Sequence, residues 1–147
     1  MTTNFDFDFL QSARRTITLE QEAIGHLIDR LSTDFAIACK LILECKGRVV
    51  VTGMGKSGHI GTKMAATLAS TGTPAFFVHP GEASHGDMGM IQPEDVVIAL
   101  SNSGESSEVT SLLPLFKRLG TRLISMTGKP ESTLATAADA HLDTGVE

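Results

Sequence analysis

The sequence predicts an α/β fold: a three-layer α/β/α arrangement around a five-stranded parallel sheet, preceded by long N-terminal helices. Two observations carry this. From residue 48 onward, short and nearly continuous apolar runs alternate with helical patterns, which is how strands buried on both faces of a parallel sheet read. Before residue 48 the apolar positions recur only at helical spacing. A chain of 147 residues with 41% hydrophobic content suffices for one core, so a single domain over residues 1–147 is expected.

The elements follow in order. Leu10, Ala13, Ile17, Ile24, Leu27, Ile28 and Leu31 recur at helical spacing and define one long amphipathic helix. Ser32 or Thr33 caps a second helix with Phe35, Ala38, Leu41, Ile42 and Cys45 on one face, and Gly47 is expected to end it in a left-handed conformation. "RVVVT" (48–52) reads as a buried strand, residues 57–70 as a helix closed by Gly72, and "AFFV" (75–78) as the second strand. "DVVIALS" (95–101) is the third strand. A helix over 106–119 turns Val109, Leu112, Leu113 and Phe116 inward and stops at Gly120. "RLISM" (122–126), an Ala-rich helix over 132–138 and "AHLDTGV" complete the pattern. The one long irregular segment is "HPGEASHGDMGMIQPE" (79–94), and a loop of that length in a compact chain is expected to be functional. The chain stops at Glu147, straight after the fifth strand, where a doubly wound sheet normally carries another helix, so the domain reads as cut short. The apolar faces of the N-terminal helices exceed what five strands need for cover, which predicts burial against another subunit.

Composition excludes several classes. Twelve Lys and Arg stand against 17 Asp and Glu, a net charge of -5, and no stretch is a basic run, so nucleic acid is not an expected partner. No apolar run approaches the roughly 20 residues of a membrane span. "MTTNFDFDFL" has neither the basic nor the apolar region of a secretory signal. Cys39 and Cys45 lie six apart in a helical stretch and lack metal-knuckle spacing, so reduced thiols in the cytoplasm are the simplest account. Trp and Tyr are absent, so a ligand is expected to be held by polar groups rather than aromatic stacking.

The chemistry concentrates in two loops. In "VVVTGMGKSGHIG" (49–61) a strand feeds a glycine-rich turn that opens a helix. Backbone N–H groups, the helix dipole and Lys56 all favour an anion there. "GMGKSG" satisfies G-x-G-x-x-G, but the dinucleotide reading wants an acidic residue about 20 positions on. "GTPAFFVHP" offers none, and the P-loop reading fails because residue 50 is Val where Gly is needed. The second loop, "SNSGESSE" (101–108), crowds Ser101, Asn102, Ser103, Ser106 and Ser107 around Gly104 at a helix start, more hydroxyls than an N-cap uses. If the strand order is the flavodoxin-like 2-1-3-4-5, these loops face each other across the crevice where open α/β sheets bind ligands. A serine-rich pocket opposite a lysine-bearing loop suits a small phosphorylated sugar. Glu108, in the first turn of the helix that follows, is the first choice for an acid–base group.

From about Leu10 onward the chain resembles the sugar isomerase (SIS) domain of phosphosugar isomerases and regulators, and within it the arabinose-5-phosphate isomerase group. The residues that carry the resemblance are "VVVTGMGKSGHIGTKMAATLASTGTPAFFVHPGEASHGDMGMI" and "ALSNSGESSEV". The first block is specific to that group; the second is general to the family. The resemblance implies interconversion of D-ribulose 5-phosphate and D-arabinose 5-phosphate through an enediolate, the aldose feeding the Kdo sugar of lipopolysaccharide. It implies Lys56, Glu108 and His85 in catalysis. Ser57, Gly72, Thr73, Glu82, Asp87, Ser101, Asn102, Ser103 and Ser106 would bind substrate. It makes His79 a candidate ligand for an inhibitory zinc, requires no cofactor, and implies a homotetramer. Family isomerases continue through a helix carrying a further histidine and usually a pair of CBS modules, none of which this sequence includes. The alternative is a sensor: the same fold binding a sugar phosphate without turnover, for which the serine loop suffices and Glu108 and His85 are not needed.

Overall fold

In the computed structural model, residues 7–84 and 86–146 are described, Ser84 and Asp87 by their backbone only. Helix α1 (Phe9–Arg30) starts at Asp8, whose carboxylate accepts from the Gln11 amide, and α2 (Thr33–Leu43) starts at Ser32, whose hydroxyl accepts from the Asp34 amide. These caps satisfy first-turn N–H groups that have no partner inside a helix. The strands are β1 (Val49–Gly53), β2 (Ala75–Val78), β3 (Val96–Leu100), β4 (Arg122–Thr127) and β5 (Ala140–Asp143). All neighbours pair parallel, in the order β2-β1-β3-β4-β5. Helix α3 (Gly55–Ser70) joins β1 to β2; α4 (Pro80–Ser84) and a 3-10 turn (Asp87–Met90) lead to β3; α5 (Ser107–Thr110) and α6 (Leu113–Leu119) lead to β4; α7 (Thr133–Ala137) leads to β5.

The side-chain alternation of the strands builds two cores. Val50, Val97, Ala99 and Leu123 pack with Ala83, Val109, Leu112, Phe116 and Leu134 on the face covered by α4 to α7. Val49, Val51, Val96, Ile98, Leu100 and Ile124 pack with Ala38, Ala65, Leu41, Ile42 and Leu68 on the face covered by α2 and α3. The crossover from β1 therefore runs over one face and that from β3 over the other. Their loops diverge, leaving a crevice between the carboxyl ends of β1 and β3.

Several elements differ from the sequence reading. The segment 79–94, expected to be irregular, carries α4 and the 3-10 turn, and the fifth strand, expected over "AHLDTGV", ends at Asp143. The helix expected over 106–119 is split into α5 and α6. Pro114 sits in the first turn of α6, lacks an N–H, and its ring would meet the carbonyl four residues back, that of Thr110, where α5 ends. Gly47 is not a left-handed cap: α2 ends at Leu43 with a right-handed Glu44. Gly47 is needed for close approach instead, since a Cβ there would lie 2.3 Å from Asp95 Oδ1. That carboxylate is buried and accepts from the Arg48 and Gln92 amides at 2.7 and 2.8 Å, tying the starts of β1 and β3 together. Gly120 does adopt the left-handed conformation (φ 76°) expected at a helix end.

Helix α1 has no buried residue, and Phe9, Leu10, Ile17, Ile24, Ile28 and Leu31 are all more than half exposed. Among the described residues no helix is long and apolar enough to cross a membrane.

Candidate active site

The two anion-seeking loops meet. Gly53 and Leu100 are register partners at the ends of β1 and β3, so Met54 and Ser101 leave the sheet side by side. A Cβ on Gly53 would come within 3.0 Å of the Leu100 carbonyl, and one on Gly58 within 2.6 Å of the Gly53 carbonyl. Both glycines let the backbone fold back on itself, so the first turn of α3 is drawn tightly against the end of β1. Gly55 supplies the positive φ (54°) of the turn. Met54 caps α3 with no side-chain hydrogen bond, so no side chain competes for that N-terminus. Lys56 is exposed and Ser57 half-buried in the first turn of α3, at the mouth of the crevice.

The serine loop is internally braced. Ser101 is 3% exposed; its hydroxyl accepts from the Gly104 amide at 3.1 Å and lies 3.0 Å from the Ser106 hydroxyl. The Ser103 hydroxyl accepts from the Glu105 amide at 3.2 Å. Ser101 thus shapes the loop from inside, while Ser103 and Ser106 are partly accessible and Asn102 is exposed. Gly104 takes φ 67°, the left-handed conformation that glycine permits. The Asn102 carbonyl accepts from the Gly128 amide at 3.0 Å, which fastens the loop to the end of β4.

Glu108 follows in the first turn of α5, exposed at the crevice. Its own backbone N–H and then the Ser107 hydroxyl, 3.0 Å from Oε2, hold its pKa below the ordinary carboxylate value. Both donors favour the ionised form, so Glu108 stands as a carboxylate. Beneath the first loop, the buried Thr52 hydroxyl has no hydrogen-bond partner among the described residues.

The second-strand residues are placed differently. His79 follows β2 at the same carboxyl edge, exposed, with Nδ1 accepting from the Gly81 amide at 3.2 Å. Among the described residues no group of three or more His, Cys, Asp or Glu gathers to hold a metal, so the described donors do not make a zinc site around His79. Glu82 is exposed on α4. His85 and the Asp87 side chain lie outside the described residues. Gly72 (φ 100°) and Thr73 follow α3 and precede β2, whose first residue pairs with Val49, the first of β1. They therefore sit at the amino edge of the sheet, opposite the crevice of their own chain, and within one chain cannot share a ligand with Lys56 and the serine loop.

The braces of the serine loop beyond its own residues escape local sequence reading. The Glu105 carboxylate accepts from the Thr133 amide at 2.7 Å, and the Gly104 carbonyl from the Leu134 amide at 3.0 Å. Nothing local in "SNSGESSE" signals partners about 30 positions away.

With this geometry in place, comparison with known proteins decides the family. The model of the SIS domain matches residues 42–147. The chain belongs to the SIS domain family. This SIS chain is 64% identical over 146 residues to arabinose 5-phosphate isomerase KdsD of Pseudomonas aeruginosa, an alignment taking in 99% of the chain and 45% of that protein. The chain thus spans less than half the length of that relative. Among solved structures, an Escherichia coli CFT073 protein solved as a ligand complex is 44% identical at a TM-score of 0.90, over 97% of this chain and 76% of that one. A sugar-phosphate isomerase candidate of Listeria monocytogenes is 32% identical at a TM-score of 0.91, over 96% of this chain and 76% of that one.

Proposed function

We propose that this SIS chain carries the catalytic loops of an arabinose-5-phosphate isomerase, interconverting D-arabinose 5-phosphate and D-ribulose 5-phosphate. The observation that carries this reading is the juxtaposition of a lysine-bearing helix start and a braced serine loop at one crevice, with an ionised Glu108 beside them. The relatives support it. One is named for this reaction, and the Escherichia coli CFT073 neighbour was captured with a ligand that we take to be arabinose 5-phosphate.

In this proposal the phosphoryl group is seated by Ser103, Ser106 and the uncapped start of α3, within the frame set by Ser101 and Asn102, with Ser57 contributing. Glu108 takes the proton from C2 of the open-chain aldose and returns it to C1, passing through an enediolate. Lys56 supports the charge that develops on the oxygens, an effect that grows as water is excluded. His85 would assist ring opening, with Glu82 and Asp87 near it in sequence. A positioned base contributes roughly 10²–10⁴-fold to such a step. The route moves one proton from C2 to C1 and one from the C2 hydroxyl to the C1 oxygen, so no redox cofactor enters it, and any zinc reaching His79 would act as an inhibitor. Gly72 and Thr73 would reach substrate only from another copy of the chain, which fits the exposed apolar face of α1 and a homotetramer. We place this activity in the cytoplasm, upstream of Kdo and lipopolysaccharide synthesis.

The test is Glu108→Ala in the full-length parent protein, assayed for arabinose 5-phosphate turnover and binding. We expect binding to persist and turnover to fall at least about a hundredfold, the lower end of a general base's contribution. Near-normal turnover removes Glu108 from the mechanism. Persisting affinity in a wild type without turnover favours the sensor reading.

A further inference from the structure

We propose that Glu105 is a positioning residue for the sugar phosphate, locking the serine loop onto the start of α7 and turning its own negative charge away from the ligand. This deepens the functional reading above and rests on it. A carboxylate inside a phosphate-binding loop is a liability, because like charges repel and the loop's free donors would otherwise be drawn to it. Here the carboxylate is committed elsewhere. Its Oε1 accepts from the Thr133 amide at 2.7 Å, and Thr133 is the first residue of α7, whose N–H has no partner within that helix. The contact is one of three between the loop and the 128–134 segment. The Leu134 amide donates to the Gly104 carbonyl at 3.0 Å, and the Gly128 amide to the Asn102 carbonyl at 3.0 Å. Gly104 lies so close that a Cβ on it would be 2.0 Å from the Ser132 hydroxyl, and Ser132 is itself 4% exposed and caps α7.

Glu105 is the only loop side chain that makes such a contact among the described hydrogen bonds; the other two use backbone carbonyls. The Glu105 side chain is solvent-exposed, so its removal leaves the packed core intact. What it controls is the freedom of residues 103–107, which present Ser103 and Ser106. A loop ordered before binding spares the ligand the entropy of ordering it.

Three variants of the full-length parent test this, read by arabinose 5-phosphate affinity, amide hydrogen exchange and melting temperature. Glu105→Ala removes the acceptor. Glu105→Gln keeps an acceptor oxygen without the charge. Thr133→Pro removes the donor at a first helical position where proline is tolerated, after a Ser132 already in the extended conformation (ψ 160°) that precedes proline. We expect Glu105→Ala and Thr133→Pro each to speed exchange at residues 104–107 and weaken affinity roughly tenfold. Glu105→Gln should restore most of both, and the ligand-free melting temperature should barely move. Unchanged exchange in Glu105→Ala overturns the proposal, as does a fall in melting temperature that tracks the loss of affinity in all three. A wild type that fails to bind arabinose 5-phosphate overturns the functional reading instead, while exchange still decides whether Glu105 holds the loop.

Discussion

Glu108 is the residue on which turnover is proposed to depend, and its ionisation gives a direct prediction. Its own amide and the Ser107 hydroxyl stabilise the carboxylate, so its folded pKa lies below the ordinary value of 4.5. A depressed pKa means the folded state gains stability from this group above the ordinary value, and loses it as the pH falls through the folded value. The proton-accepting form therefore persists at every pH near neutrality. Carbon-13 titration of the glutamate carboxyls, with Glu108→Gln to assign the resonance, should show a midpoint below 4.5; one above it would contradict the donor geometry around this carboxylate. The two loops are legible in the sequence because turn chemistry is local: glycine, lysine and serine between a strand and a helix mark each as a candidate anion site. Glu105 is not legible, since its partner Thr133 is 28 residues away. Gly47 misleads because a glycine signals either a left-handed conformation or a close neighbour, and only the fold shows that Asp95 is the neighbour.

Among the elements, the first four strands are legible to within a residue at either end, because short continuous apolar runs between turn residues have little alternative, whereas the fifth ends at Asp143, three residues before the end of "AHLDTGV". The split between α5 and α6 is also written in the sequence, at Pro114, but the apolar spacing of Val109, Leu112 and Phe116 continues across the break and hides it. Helix α1 carries the prediction at this scale. Leu10, Ile17, Ile24 and Leu31 recur every seven residues and are all more than half exposed, while no residue of the helix is buried. An exposed apolar stripe of that length is what a helix presents to a partner. Ile17→Glu combined with Ile24→Glu should reduce the particle mass seen by light scattering while leaving the far-ultraviolet circular dichroism of the sheet domain intact. A wild type already monomeric, or a double variant with unchanged mass, would remove α1 from the assembly.

At the scale of the molecule, the crevice exists because α3 and the α5–α6 pair leave neighbouring strands over opposite faces, a consequence of the order β2-β1-β3-β4-β5. That order is part of the sequence expectation, and it is what brings residues 53–57 beside 101–107. The same topology sends Gly72 and Thr73 to the other edge, which no local pattern in "STGTP" could announce, because the edge a turn occupies is set by strand direction alone. The central claim is that the two loops form one sugar-phosphate site. A crystal structure of the chain soaked with arabinose 5-phosphate tests it most directly. The account predicts the phosphoryl group against Ser103, Ser106 and the start of α3, with the carbon chain running toward Lys56 and Glu108. A sugar phosphate bound elsewhere, with this crevice left to solvent, would contradict it.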